Sequence, residues 1–173
     1  MSRQEFAIRP PDPRLMWLLP GLALLAVLIG TAILMMREPQ AWIALPIAFA
    51  SFTFLAVTLR RRRVSLSNGT LIVTAGLNTR RVAIGDLDLS SARIVDLREH
   101  HEWKPSLKLF GTRVPGLSMG HFRLRDRNRA FVLLTDPSRV LVLTEYSGRR
   151  LLLSVTRPQA LLDALQKQDS HRR

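Results

Sequence analysis

Histidine and carboxylate clusters are where catalysis or metal binding would be expected, and this chain groups few such residues together. The densest cluster is His100-His101-Glu102. Adjacent histidines point apart on most backbones, and no second pair of ligands follows at the spacing that zinc sites use. His121 and His171 stand alone, and the chain has no cysteine. We therefore expect solvated histidines, with no metal site, disulfide or thiolate nucleophile.

A nucleotide-binding motif is also incomplete. Gly111 and Gly116 have the four-residue gap of a phosphate-binding loop, but Leu117 and Ser118 stand where that loop requires Lys and then Ser or Thr. The acidic residues after position 63 form no recurring pair suited to general acid–base work. The sequence therefore predicts a non-enzymatic protein with no cofactor.

Arginine is the most informative residue type. The chain holds 26 Lys and Arg against 13 Asp and Glu, a net charge of +13. In the alternating run 120–125, Arg123 and Arg125 share the polar face. Further arginines stand outside this run, at positions 80, 81, 113, 127, 129, 149 and 150. Two interpretations stay open: a solvated surface, or a surface that attracts anionic lipid or an acidic partner.

A charge this high also raises the question of nucleic-acid binding, which the aromatic residues do not support. They are few and mostly spaced like core residues, as Phe110, Phe122 and Phe131 are. No stacking platform interleaved with arginine is evident. We expect no nucleic-acid partner.

Residues 98–119 show no clean period and are too long for an ordinary connection. Their apolar residues either cover the rim of the fold or, with Trp103, dock on the membrane interface or a partner protein. Charged residues are interleaved with them. The candidate contacts to lipid or a partner, here and in the run that follows, are Trp103, Lys104, Lys108, Arg113, Arg123 and Arg125.

Two uncharged segments precede these residues, at 15–36 and 41–59. As helices they would span roughly 33 and 28 Å, close to the hydrocarbon thickness of a bilayer. Only residues 37–40 link them, so the region 15–59 is expected to be an antiparallel transmembrane hairpin. The alternatives are a buried helical pair of a soluble protein and a cleaved signal peptide, and the length and succession of the two runs disfavour both.

Charge predicts the orientation of this hairpin. Arg60, Arg61, Arg62 and Arg63 form a basic juxtamembrane linker directly after the second span, and the link between the spans holds only Arg37. Lys and Arg stay preferentially on the cytoplasmic side. We therefore expect a multi-pass protein of the cytoplasmic (inner) membrane, with both termini and the N-terminal segment 1–14 in the cytoplasm. The four arginines serve either as a topology signal or as contacts to anionic head groups.

Residues 64–168 change pattern to short runs with period-two alternation. Asn68-Gly69 between alternating runs is a strong hairpin signal, because both residues tolerate positive φ. Near the end, Pro158 suits a first helical turn, and Leu161, Leu162 and Leu165 make an apolar stripe. Seven or eight short strands and one amphipathic helix imply a small antiparallel sandwich or barrel closed by that helix. Residues 169–173 form a tail.

The same region resembles a bacterial pleckstrin-homology domain family. The resemblance rests on residues 111–116 (GTRVPG), 120–125 (GHFRLR), 134–136 (LTD) and 151–154 (LLLS). It implies a pleckstrin-homology (PH)-like barrel capped by a C-terminal helix, following one or two membrane helices, with no established catalytic residues. Eukaryotic domains of this fold bind phosphoinositides through basic residues around the first hairpin turn. Here that turn, at 67–70, contains no Lys or Arg.

The predicted architecture is thus a two-helix transmembrane hairpin followed by an all-β PH-like domain with a closing helix. We expect a membrane-anchored module that binds another membrane or cytoplasmic protein and makes basic contacts to anionic lipid in the bilayer. The alternatives are specific lipid or small-ligand recognition, or an accessory subunit of a membrane enzyme or transporter. Small residues in the spans are compatible with a homo-oligomer.

Overall fold

The structure is a computed structural model that describes residues 4–170. Residues 1–3 and 171–173, which belong to the predicted N-terminal segment and C-terminal tail and include His171, lie outside the described residues.

Two long apolar helices form a hairpin near the start of the chain. Helix α1 (Pro13–Met35) begins after Asp12, whose carboxylate accepts a hydrogen bond from the backbone N–H of Arg14 at 2.9 Å. A 3₁₀ turn (Pro39–Ile43) leads into helix α2 (Ala44–Arg60). Both helical segments are long and apolar enough to cross a membrane, and only 11% of the most apolar stretch of each is buried. Such exposure is unlike that of core helices in a soluble protein.

The first sheet has four antiparallel strands in the order β1-β2-β3-β4. They are β1 (Gln4–Phe6), β2 (Arg62–Ser67), β3 (Thr70–Ala75) and β4 (Asn78–Ala83). The predicted Asn68-Gly69 turn joins β2 to β3, with φ of +49° and +70°.

The second sheet has six strands in the order β5-β9-β10-β8-β7-β6. They are β5 (Leu87–Val95), β6 (Pro105–Val114), β7 (Leu117–Leu124), β8 (Arg129–Leu134), β9 (Val140–Glu145) and β10 (Arg150–Leu153). Strand β10 lies between β8 and β9 and runs parallel to β8, while the other pairs are antiparallel.

The main core fills the space between the two sheets, and helix α3 (Pro158–Ser170) closes it. Leu161 and Leu165 of α3 are fully buried there, each stabilising the domain by roughly 2 kcal/mol. A second cluster covers the other face of the six-stranded sheet, around Phe122, Val132 and Leu152. The predicted two-helix hairpin, all-β PH-like sandwich and closing helix are therefore confirmed.

Two of the ten strands among the described residues were not predicted. Strand β1 pairs Phe6 with Val64, and the segment after it continues along the domain, with Ile8 bridging Val155. Arg9 then forms an ion pair with Asp136 at 2.9 Å. As a result, the start of α1 and the end of α2 meet at the same β domain.

Strand β6 corrects the expectation that residues 98–119 lack regular structure. Its register against β7 shifts between Pro105 and Leu107 and again between Lys108 and Phe110. Each bulge inverts the alternation of side chains, so the sequence shows no period of two.

Candidate functional site

Strand β6 is the outer strand of the second sheet and carries exposed apolar side chains. Leu107, Leu109 and Phe110 are 55%, 46% and 64% exposed. An edge strand also presents unpaired backbone N–H and C=O groups on its outer side. The combination of an outer strand and an exposed apolar surface is typical of a strand that pairs with another chain, and Arg113 engages the Pro105 and Ser106 carbonyls at the start of this strand.

The middle of β6 lies beside the C-terminal end of α2. A cavity of about 310 Å³ is lined by Thr58 of α2, by Leu77 and Asn78 at the start of β4, and by residues 108–112 of β6. Leu77 is 59% exposed. The exposed apolar surface of the β domain is therefore continuous with the last turn of α2, whereas Leu107 does not line this cavity.

A second cavity, of about 260 Å³, opens between the two sheets, and we call it the arginine mouth. It is lined by four arginines, Arg80, Arg129, Arg149 and Arg150, together with His121 and Glu145. Leu109 lines both cavities, so they adjoin along β6.

The Arg80–Glu145 pair ties the two sheets together at this mouth. One guanidinium nitrogen of Arg80, on β4, donates to both carboxylate oxygens of Glu145, on β9, at 2.9 Å. The Ser147 hydroxyl donates to the same carboxylate at 2.9 Å. Glu145 is only 6% exposed, so its charge depends on these partners.

His121 faces the same cavity and is held neutral. Its ring meets the Phe131 ring edge-on, with 5.0 Å between centroids. Burial, and then the positive charges of Arg80 and Arg149, lower the pKa of His121 below its ordinary value. His121 and these two arginines share the wall of the cavity.

The other arginines of the mouth differ in their pairing. Arg150 forms an ion pair with Asp126 and lies 5.8 Å from the centre of the Trp103 ring. Arg129 and Arg149 have no carboxylate partner among residues 4–170. Arg129 also stands directly opposite Arg123 across the β7–β8 pair.

The predicted contact residues lie on or next to the β6–β7 pair. Lys108 and Arg113 lie on β6, and Arg123 lies on β7 beside the arginine mouth. Trp103 and Lys104 precede β6, and the Lys104 carbonyl accepts from the backbone N–H of Arg125 at 3.2 Å. The Arg123 carbonyl accepts from the Ser106 hydroxyl at 3.0 Å, so Arg123 also lies close to the start of β6.

Three of these residues are partly engaged within the domain, and one is Lys104, whose Nζ lies 2.6 Å from Nδ1 of His101. Trp103 is partly buried against the second cluster and stacks on His100, with 5.3 Å between ring centroids. Arg113 donates to the backbone carbonyls of Pro105 and Ser106 and lies 5.2 Å from the centre of the Phe122 ring. They remain candidate contacts, with less freedom than Lys108 or Arg125.

The four arginines at the end of α2 and after it differ in their exposure to solvent. Arg60, Arg61 and Arg63 are exposed, and Arg63 approaches Glu5 of β1 at 3.7 Å. Arg62 turns partly inward, and burial lowers its pKa, although the group stays charged. Three of the four arginines are therefore available to a surface outside the protein.

Sequence reasoning missed the arginine mouth because its members are far apart along the chain. Arg149 and Glu145 converge through the pairing of β10 with β9, and Arg80 reaches them only because the two sheets pack together, which no local pattern reveals. A usable signal was the alternation of β7 and β8, which places His121 opposite Phe131.

Sequence reasoning also failed to recognise a Gly-x-Ser-x-Gly match at residues 116–120, which is typical of some serine hydrolases. Ser118 lies within β7, paired with Arg113 on one side and Leu134 on the other. Those hydrolases need a sharp strand-to-helix turn to present the serine. The match therefore does not indicate a nucleophile here.

Comparison with known proteins agrees with this fold. A family model described as Bacterial PH domain matches residues 62–169, more than half of the chain. No curated protein and no solved structure matches the chain significantly.

Proposed function

The chain belongs to the bacterial PH domain family, and from this premise we propose that it is a membrane-anchored, non-enzymatic module for protein interaction. It acts at the cytoplasmic face of the inner membrane and makes basic contacts to anionic lipid. Domains of this fold are interaction modules, so its function lies in its surfaces.

The membrane anchor is the hairpin of α1 and α2. Strands β1 and β2 flank this hairpin and pair with each other, which supports placing both ends of the hairpin on one side of the bilayer. The basic run at 60–63 and the positive-inside rule assign that side to the cytoplasm.

Lipid contacts follow from the same placement. Arg60, Arg61 and Arg63 stand at the level of the head groups, where each contributes about 1 kcal/mol of attraction to anionic lipid. Leu77 and Phe110, exposed next to the end of α2, reach the apolar side of the interface. These contacts orient the domain.

The observation that carries the protein-interaction proposal is the exposed edge of β6. Leu107 is 55% exposed on this edge strand and lies outside the cavity that adjoins α2. A partner segment in extended conformation would pair with the backbone of β6 and cover Leu107.

Site-specific cross-linking in intact membranes tests this proposal. A photoreactive amino acid in place of Leu107 is expected to yield one discrete cross-linked protein, because a paired strand would hold the partner within contact distance. The matched control places the same amino acid at Ser90, which is exposed on β5 at the opposite edge of the same sheet. The control is expected to yield no discrete product, and gel mobility with mass spectrometry identifies the products.

The products also separate the alternatives. A product of twice the chain's mass identifies a second copy as the partner. Cross-links to lipid alone from Leu107, or equal labelling from Leu107 and Ser90, would contradict a protein-binding role for β6.

A further inference from the structure

The arginine mouth carries more positive charge than the protein neutralises. Two carboxylates neutralise two of its four arginines: Glu145 pairs with Arg80, and Asp126 pairs with Arg150. Arg129 and Arg149 keep their charge unmatched by any carboxylate among the described residues. Arg129 also stands directly opposite Arg123 across the β7–β8 pair, and like charges opposed in this way are destabilising.

The shape of the mouth suits a small anionic group. Its volume is about 260 Å³, and its wall includes Leu109 and the ring of Phe131. Arg80 is held in place by Glu145, whereas Arg129 and Arg149 are exposed and retain all their N–H donors for a ligand. The free N–H donors of Arg129 and Arg149, beside a guanidinium held by its ion pair, suit an anionic ligand.

We propose that the arginine mouth binds the phosphate group of a phosphate monoester. A phosphate monoester carries about two negative charges and three terminal oxygens at neutral pH, which matches the two unpaired guanidinium groups. A carboxylate brings one charge and two oxygens and would leave one arginine unmatched. Guanidinium groups also match the geometry of phosphate oxygens better than ammonium groups do.

Two kinds of molecule present a phosphate monoester to this site, a lipid head group and a soluble metabolite. Leu109 lines both the mouth and the cavity beside α2, so a head group at the bilayer surface has a short route to the arginines. The site itself recognises the phosphate, whichever molecule carries it. This inference goes beyond the proposed protein interaction and does not rest on it.

The test uses the full-length chain in nanodiscs of neutral phosphatidylcholine, with glycerol 3-phosphate as the soluble probe. The Tm is expected to rise by roughly 5 °C when the probe is at ten times its apparent Kd, relative to sodium chloride of equal ionic strength. The variant Arg129→Gln/Arg149→Gln is expected to weaken the apparent Kd at least tenfold, since two charge-assisted contacts are lost. In a second arm, nanodiscs containing phosphatidic acid replace the soluble probe.

The matched control is Arg81→Gln/Arg139→Gln, which removes the same charge at exposed positions outside the mouth. This control is expected to keep the response of the unaltered chain. A rise in Tm with phosphatidic acid alone identifies a lipid head group as the ligand. A rise in Tm with both probes means that the site also binds soluble phosphate esters. Equal responses of the two double variants, or no response beyond that to salt, would overturn the proposal. Cross-linking from Leu107 reports on the protein interaction independently.

Discussion

Gly120→Ala is expected to release strand β6 from the sandwich and to lower the free energy of unfolding by about 3 kcal/mol. Gly120 has φ of +115°, and a Cβ at this position would lie 2.4 Å from the carbonyl oxygen of Phe110 and 2.7 Å from the Cα of Gly111. These neighbours are backbone atoms of β6, so only separation of the two strands relieves the clash. Chemical denaturation of the full-length chain in detergent measures the loss.

Gly148→Ala is the matched control for this substitution. Gly148 also has positive φ, +80°, but a Cβ there meets nothing within 4 Å. The control is expected to cost about 1 kcal/mol, from backbone conformation alone. Because β6 is the proposed partner-binding edge, Gly120→Ala is also expected to abolish the cross-link from Leu107, and Gly148→Ala to preserve it. Equal costs for the two variants would contradict the close packing of β6 on β7.

Arg80→Ala is expected to destabilise the domain by about 3 kcal/mol, because it leaves the buried Glu145 carboxylate without its cation. Arg81→Ala is the matched control, since Arg81 is the next residue of β4 and is exposed. The control is expected to change stability by less than about 0.5 kcal/mol. Denaturant titration of both variants measures the difference.

The double variant Arg80→Ala/Glu145→Gln distinguishes a buried charge from lost packing. With a neutral amide in place of the Glu145 carboxylate, the loss of Arg80 leaves no unpaired charge inside the domain. The double variant is therefore expected to recover most of the stability that Arg80→Ala alone loses. No recovery would mean that Glu145 does not depend on Arg80 for its charge.

Several features of the fold are predictable because they depend on local sequence. Each of these features depends on residues that are close together in the sequence. They are the apolar runs 15–36 and 41–59, the turn at Asn68-Gly69, and the stripe of Leu161 and Leu165. Hydrophobic periodicity and turn chemistry report such features directly.

Other features depend on contacts between distant residues and escape a local pattern. Strand β1 has three residues and is defined only by its pairing with β2, on the far side of the helical hairpin. The bulges of β6 hide its alternation. The arginine mouth requires both the insertion of β10 between β8 and β9 and the packing of β4 against that sheet, which no short-range signal encodes.

A pair of topology reporters tests most directly whether the β domain is anchored at the cytoplasmic face of the membrane. A green fluorescent protein fused after residue 173 is expected to fluoresce, and an alkaline phosphatase inserted at Glu38, in the link between α1 and α2, is expected to be active. Both results place the termini inside and the link outside. Phosphatase activity at the C-terminus together with an inactive insertion at Glu38 would contradict the account.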